Sequence, residues 1–210
     1  MKIYYKRLSR FGEDEYVYYL SMTDDSRKEA IARMRVENDK RRSILGESLA
    51  RLGISKIIGC DEREINFIRT EKGKPICNKE GVFFNVSHCD GTVVCAVDIQ
   101  NVGIDLERIR KIEARVTDIA CTNADKQFIF GESDYGIDDI ITDKDILNRF
   151  FTVWTAKEAY FKFIGIGVIG LRTVSYSDIS SRCQTLERNG YMMSVYSENE
   201  KNALEFIEVL

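Results

Sequence analysis

The stretch from Phe84 to Glu107 restricts the fold of this chain most, because it combines a hairpin pattern with the only histidine, His88. Residues 82–87 and 92–97 are rich in apolar and β-branched side chains. Between them, Cys89-Asp90-Gly91 has the composition of a tight turn. The pattern therefore predicts a β-hairpin, with a further strand after it.

That further strand, Val102 to Glu107, brings two carboxylates together. Its alternation puts Gly103, Asp105 and Glu107 on one face, where alternate residues lie ~6.5 Å apart. Carboxylates that close repel one another unless a cation or solvent lies between them. A solvated strand face is the simplest interpretation, but Gly103 beside the pair favours space for a ligand. We therefore treat this strand as a candidate binding site.

Composition limits the classes of protein to which the chain can belong. Its 210 residues allow one large or two small domains, and 44% hydrophobic with 31% charged residues is typical of a globular protein. The net charge of −3 gives no global basic field, so nucleic acid is not the expected partner. No apolar run reaches the ~18 residues of a membrane helix, and Met1-Lys2-Ile3-Tyr4-Tyr5 lacks a signal-peptide pattern, which predicts a cytoplasmic protein. Six cysteines without a CxxC pair predict free thiols and no structural zinc site.

The flanking sequence predicts further helices and strands. Residues 1–20 contain five tyrosines and Val17, a composition that favours strands. A capping box that begins at Ser26 predicts one helix, and a second helix is expected to end at Gly53. Residues 171–209 predict three strands, the first of them at Val174–Ile179.

Residues 148–164 give the longest helical signal, and Gly165-Ile166-Gly167 is expected to end this helix. Glu158 and Lys162 stand four residues apart on one of its faces. An exposed pair of this kind contributes about 0.3–0.5 kcal/mol and needs no function. The same face could equally deliver a carboxylate and an ammonium group into a cleft.

Five blocks of the chain resemble, in order and in spacing, the signature motifs of the 4′-phosphopantetheinyl transferases. They are Arg42-Ser43-Ile44-Leu45-Gly46, Gly73-Lys74-Pro75, Phe84-Asn85-Val86-Ser87-His88, Val102-Gly103-Ile104-Asp105-Leu106-Glu107 and Trp154-Thr155-Ala156-Lys157-Glu158 with Lys162. The resemblance is to the larger, single-chain class, which modifies carrier proteins of peptide, polyketide and fatty-acid synthesis. It covers nearly the whole chain, with departures from the family pattern at Ala30, Cys89 and Ile166.

The resemblance implies an α+β fold of two similar halves related by a pseudo-twofold axis, with the active site in the cleft between them. The boundary would fall near Gly103. The N-terminal half, 1–102, would then carry the histidine block and the coenzyme A phosphate contacts. The C-terminal half, 103–210, would carry the metal carboxylates and the long helix with Glu158 and Lys162. A monomer is the expected state.

The resemblance also implies a reaction. The serine hydroxyl of an apo acyl or peptidyl carrier protein attacks the β-phosphate of coenzyme A, takes the 4′-phosphopantetheine group and releases 3′,5′-ADP. The implied cofactor is Mg²⁺, with the ligands Asp105, Glu107 and Glu158. The implied catalytic residues are Glu158, as metal ligand and general base, and Lys162, which neutralises pyrophosphate charge. The implied contacts to coenzyme A are Arg27, Arg42, Lys74, Ser87, His88 and Lys162.

Two other functions stay open on the residues alone. Another metal-dependent phosphoryl-transfer enzyme, such as a pyrophosphohydrolase, could use the same three carboxylates. A non-catalytic domain that binds coenzyme A or a carrier protein would be expected to lack one of the carboxylates, and none is missing here. Within the transferase reaction, a metal-held water could replace Glu158 as the base.

Overall fold

The computed structural model describes residues 1–166, 170–198 and 203–210. They form an α+β architecture, which confirms the predicted fold class. The strands are β1 (Lys2–Arg7), β2 (Phe67–Arg69), β3 (Pro75–Cys77), β4 (Phe83–Cys89), β5 (Thr92–Asp98), β6 (Val102–Arg108), β7 (Ile112–Glu113), β8 (Ile140–Ile141), β9 (Cys183–Arg188), β10 (Tyr191–Ser197) and β11 (Glu205–Glu208). The α-helices are α1 (Glu13–Ser21), α2 (Asp25–Ala32), α3 (Glu37–Ile58), α4 (Arg115–Ala120), α5 (Asn123–Phe130), α6 (Lys144–Ile164) and α7 (Tyr176–Ile179).

The chain divides into two compact units, Met1–Val102 with Asn202–Leu210, and Gly103–Lys201. The assignment of all of 103–210 to a C-terminal half is therefore wrong at its end. The reason is that β11 pairs in parallel with β1, and these backbone hydrogen bonds join the last strand to the first unit. No helix among the described residues combines the length and the apolar character that crossing a membrane requires.

The first unit is built on a four-stranded sheet with the order β11-β1-β5-β4. β4 and β5 form the predicted hairpin, and Asp90 and Gly91 make its turn with positive φ angles. α3 packs on this sheet, and a Cβ on Gly53 would lie 2.5 Å from Val97 Cγ2. The prediction that Gly53 ends the helix is wrong, because this glycine lets the helix approach the sheet and α3 continues to Ile58.

Two further predictions for this unit are wrong. Residues 1–20 are not strand throughout, because β1 is followed by α1, whose first turn carries three acidic residues. Carboxylates in a first turn stabilise a helix N-terminus, which here outweighs the strand preference of Tyr and Val. α2 is capped by Asp24 and not by Ser26, since the Asp24 carboxylate accepts a hydrogen bond from the Arg27 backbone N–H.

The second unit contains a three-stranded sheet with the order β6-β10-β9, and α6 packs on it. α6 confirms the predicted long helix. It begins after the cap residue Asp143, whose side chain accepts two backbone hydrogen bonds. It ends before Gly165, and this glycine has a left-handed backbone conformation. Gly167, the last residue of the predicted helix end, lies outside the described residues.

The strand predicted at Val174–Ile179 is wrong. Ser175 and Asp178 form a capping box there, which starts the short helix α7. The other two strands predicted over 171–209 are present as β10 and β11, and β9 pairs antiparallel with β10 in a position that was not predicted.

Gly103 in β6 serves the packing of α6 and not, as predicted, the entry of a ligand. A Cβ on Gly103 would lie 2.0 Å from the carbonyl oxygen of Ala159 and 2.6 Å from the backbone nitrogen of Phe163. Only glycine therefore lets this strand lie against this turn of the helix. The same face of β6 carries Asp105 and Glu107, so the close packing also brings the carboxylates to α6.

Candidate active site

Four charged side chains of the second unit meet where β6 packs on α6. Asp105 and Glu107 come from the strand, and Glu158 and Lys162 come from successive turns of the helix. Lys162 Nζ donates a hydrogen bond to Asp105 Oδ1 at 2.7 Å. Asp105 and Glu158 are only 5% and 8% exposed. The structure thus brings the residues predicted as metal ligands and as catalytic lysine into one group, in which Asp105 and Glu158 are buried and Glu107 and Lys162 are partly exposed.

The carboxylates of this group oppose one another's ionisation. Burial, followed by the charge of Asp105, raises the pKa of Glu158 to about 7, although Lys162 acts in the opposite direction. Burial and then Asp105 also raise the pKa of Glu107, against a hydrogen bond from Arg110. Carboxylates that destabilise one another's charged forms make a site that a bound cation would stabilise.

The chemistry of this donor set fits a hard divalent cation. Three carboxylates offer oxygen ligands only, which is the set that Mg²⁺ prefers. Lys162 holds one oxygen of Asp105, and the described residues contain no group of three His, Cys, Asp or Glu side chains already arranged around a metal position.

A buried ion pair that the sequence patterns did not reveal fixes α6 beside this group. Lys157, which precedes Glu158, has its Nζ 2.5 Å from Asp125 Oδ2 and donates to the Ala120 carbonyl oxygen at 2.9 Å. Asp125 also accepts a hydrogen bond of 2.7 Å from the Tyr176 N–H. The pair therefore ties α6 to the end of α4 and to the first turns of α5 and α7. Its only signal in the sequence is the capping pattern that places Asp125 at the start of α5.

The first unit carries a cavity of about 780 Å³ with basic walls. Three of the predicted coenzyme A contacts line it: Arg27, Arg42 and His88. The other three, Lys74, Ser87 and Lys162, lie outside its lining. Ser87 is buried on the opposite face of β4 from His88, because neighbours on a strand alternate. Lys74, whose pKa is lowered by burial, donates from Nζ to Asn101 Oδ1 at 3.2 Å.

Aromatic residues and a further arginine complete the walls of this cavity. Phe67 on β2 and Phe84 on β4 line it, with their ring centroids 5.0 Å apart. Arg69, at the end of β2, lines it as well. Guanidinium groups bind phosphate, and aromatic rings offer faces for a base, so the cavity has the chemistry of a nucleotide site. The sequence patterns missed these three residues because no local spacing relates β2 to the helices or to β4.

Comparison with known protein families covers the chain almost from end to end. Residues 12–100 match the family described as 4′-phosphopantetheinyl transferase, N-terminal, and residues 101–207 match the 4′-phosphopantetheinyl transferase superfamily. The chain belongs to the 4′-phosphopantetheinyl transferase superfamily. The resemblance carried by the five sequence blocks is therefore confirmed, and with it the class of enzyme.

Named relatives align with most of this phosphopantetheinyl transferase. The 4′-phosphopantetheinyl transferase gsp of Aneurinibacillus migulanus is 31% identical over 197 residues, which cover 93% of this chain and 75% of the relative. The 4′-phosphopantetheinyl transferase Sfp of Bacillus subtilis (strain 168) is 32% identical over 171 residues, or 80% of this chain and 72% of the relative. The 4′-phosphopantetheinyl transferase pptA of Paxillus involutus is 29% identical over 189 residues, with coverages of 82% and 71%.

Proposed function

We propose that this phosphopantetheinyl transferase moves 4′-phosphopantetheine from coenzyme A to a serine hydroxyl of an apo acyl or peptidyl carrier protein. The observation that carries the proposal is the group of Asp105, Glu107, Glu158 and Lys162 on β6 and α6, in which Asp105 and Glu158 are buried. A bond forms between the serine oxygen and the β-phosphorus, and the bond from that phosphorus to the bridging oxygen breaks. The leaving 3′,5′-ADP takes the bonding electron pair, and the serine proton passes to a base. Phosphoryl transfer of this kind needs positioned reactants, charge neutralisation and a base.

We assign the binding of Mg²⁺ to Asp105, Glu107 and Glu158, because their mutual repulsion and oxygen chemistry fit a hard cation. When bound, such an ion supplies positive charge to the pyrophosphate oxygens. Lys162 provides a second positive charge on the same side of α6. The hydrogen bond between Lys162 and Asp105 holds this ammonium group in place before coenzyme A arrives.

Glu158 is the proposed general base. It lies on α6 beside Asp105 and one turn before Lys162, within the group that would meet the β-phosphate. Glu158 is buried, and the charge of Lys162, like that of a bound cation, favours the ionised form that can accept a proton. The proton of the attacking serine would pass to a carboxylate oxygen of Glu158.

We propose that the cavity of the first unit binds the nucleotide part of coenzyme A. Arg27, Arg42 and His88 line it and would contact phosphate, while the partly exposed ring of Phe67 would contact adenine. Lys74 and Ser87 lie outside this lining, so their predicted phosphate contacts gain no support from the cavity.

Intact-mass spectrometry tests the proposed function. The enzyme is incubated with coenzyme A, Mg²⁺ and a panel of apo carrier proteins, and a carrier with alanine in place of its acceptor serine is the control. We expect one phosphopantetheine group on the carrier that has its serine, together with 3′,5′-ADP. Cleavage of coenzyme A with an unmodified carrier would indicate a pyrophosphohydrolase instead. Binding of coenzyme A without either product would indicate a non-catalytic domain.

A further inference from the structure

Glu47 places a negative charge inside the cavity of the first unit, where phosphate is proposed to bind. It lies on α3, lines the cavity, and has a side chain that is 16% exposed. Its Oε1 accepts a hydrogen bond from Arg27 Nε at 2.7 Å, and its Oε2 accepts one from Thr23 Oγ1 at 3.4 Å. Thr23 is buried, so the carboxylate is held from two sides. A carboxylate in this position repels an anionic ligand by simple Coulomb interaction, which calls for an explanation.

Arg27 is held at two of its nitrogen atoms. Its Nε donates to Glu47, and its Nη2 contacts the Ser43 hydroxyl. A guanidinium group has five N–H donors in a planar fork, so these two contacts leave the Nη1 side for a ligand. Two parallel hydrogen bonds to a phosphate require that both N–H groups of this fork point at its oxygen atoms. The contacts with Glu47 and Ser43 together set the plane in which the fork lies, and the contact with Glu47 is the one between opposite charges.

A second guanidinium group in the same cavity makes that orientation unfavourable without Glu47. Arg69 lines the cavity, and burial followed by the charge of Arg27 lowers the pKa of Arg69, whereas Glu47 acts in the opposite direction. Like charges in one cavity repel, so an Arg27 side chain released from Glu47 would turn away from Arg69 towards solvent. Glu47 offsets this repulsion before any anion arrives.

We propose that Glu47 is a positioning residue that orients the Arg27 guanidinium group towards a phosphate of coenzyme A. The inference rests on the proposed function, because it takes coenzyme A as the ligand of this cavity. Its prediction is opposite in sign to that of simple electrostatics. Glu47→Ala, which removes the hydrogen bond to Arg27 together with the charge, should weaken the binding of an anion, although the cavity becomes more positive.

Isothermal titration calorimetry with coenzyme A and with 3′,5′-ADP provides the test. Glu29→Ala is the matched control, because Glu29 is an exposed carboxylate that pairs with Arg33 at 3.1 Å on α2. We expect Glu47→Ala to weaken both ligands about tenfold, the effect of one charge-assisted hydrogen bond. Glu29→Ala should stay within about twofold of the wild type. Tighter binding of either ligand by Glu47→Ala would overturn the inference.

The same change in an Arg27→Ala background separates positioning from other effects. Without Arg27, Glu47 has no guanidinium group to orient and contributes only its negative charge. The double variant Arg27→Ala/Glu47→Ala should therefore bind coenzyme A at least as tightly as Arg27→Ala. A further loss of about tenfold in this background would show that Glu47 acts through another group, and the inference would be wrong.

Glu47→Gln keeps an oxygen that accepts from Arg27 Nε and removes only the charge. This variant replaces Glu47→Ala in the binding test if thermal unfolding shows that Glu47→Ala does not fold. The glutamine change should improve coenzyme A binding more in the Arg27→Ala background than with Arg27 present, and an equal gain in both would overturn the inference. A wild-type enzyme that binds neither ligand would contradict the proposed function itself. A wild type that binds both, with tighter binding by Glu47→Ala or with equal gains from Glu47→Gln in the two backgrounds, would contradict this inference alone.

Discussion

Replacement of Gly103 by alanine tests how β6 and α6 are held together at the acidic site. The added Cβ would lie 2.0 Å from the Ala159 carbonyl oxygen and 2.6 Å from the Phe163 backbone nitrogen. Both atoms belong to helix backbone, which cannot rotate aside as a side chain can. The strand and the helix must therefore separate, and the hydrogen bond of 2.7 Å between Lys162 and Asp105 must lengthen or turn.

The size of the effect follows from the overlap. Ordinary carbon contacts are about 3.5–4.0 Å long, far beyond the 2.0 Å that Gly103→Ala would impose. Overpacking costs about 1–3 kcal/mol, with more where backbone must move, so we expect a loss of about 3 kcal/mol in the free energy of unfolding. In a protein of this size 1 kcal/mol lowers Tm by about 2–4 °C, which gives an expected fall of about 6–12 °C.

Thermal unfolding by circular dichroism measures this effect, and carrier modification below Tm measures its consequence for the site. Gly12→Ala is the matched control, because a Cβ there would lie 3.9 Å from the Glu15 carboxylate. The change at this helix cap should cost about 1 kcal/mol in the free energy of unfolding. Gly103→Ala should lower kcat more than it raises KM for coenzyme A, since the proposed nucleotide contacts lie in the first unit. A Gly103→Ala enzyme that unfolds within about 2 °C of the wild type would refute the close approach.

Three further predictions address the remaining parts of the account. Glu158→Gln keeps an oxygen for a cation but cannot take a proton, so kcat should fall by about 10²–10⁴. Calorimetry should show that coenzyme A still binds, and near-normal turnover would exclude Glu158 as the base. Arg42→Ala should weaken coenzyme A binding about ten- to a hundredfold, and dephospho-coenzyme A far less if Arg42 contacts the 3′-phosphate; equal losses in calorimetry would exclude that contact. Lys157→Met leaves Asp125 buried without its cation, so denaturant unfolding at pH 7 should show a loss of about 3–5 kcal/mol. In the wild type, burial acts to raise the pKa of Asp125, but hydrogen bonds from Lys157, Tyr176 and Thr122 lower it below the ordinary value of 3.8. The stabilisation from Asp125 is therefore present above that value and is lost as the pH falls through the native pKa. The stability difference between Lys157→Met and the wild type should accordingly shrink on acidification. A difference that stays constant with pH would contradict this reasoning.

The elements that carry the acidic site were predictable because each has a local signal. The turn residues Asp90 and Gly91 predict the hairpin, and the helical periodicity of apolar residues before Gly165 predicts α6. The alternation of β6 places Asp105 and Glu107 on one face, which is the face that packs on α6. Spacing along one element therefore sufficed for these residues.

The remainder depends on contacts between residues that are distant along the chain. A glycine beside two carboxylates indicates that space is needed, but sequence does not show that helix backbone rather than a ligand fills the space at Gly103. Glu47 and Arg69 stand on separate elements, and no spacing rule connects either of them with Arg27. The tyrosines of the segment that forms α1 favour strand locally, but the acidic first turn of α1 and its packing on α3 favour helix.

The most direct test of the central claim is whether the carboxylates on β6 and α6 carry a cation-dependent transfer. Intact-mass spectrometry follows modification of an apo carrier by the wild type and by Asp105→Ala, each at saturating coenzyme A, with Mg²⁺ or with excess EDTA. We predict modification by the wild type with Mg²⁺ and none in EDTA. Asp105→Ala should give none in either condition while calorimetry still shows that it binds coenzyme A. Full wild-type activity in EDTA, or transfer by Asp105→Ala at the wild-type rate, would contradict the account.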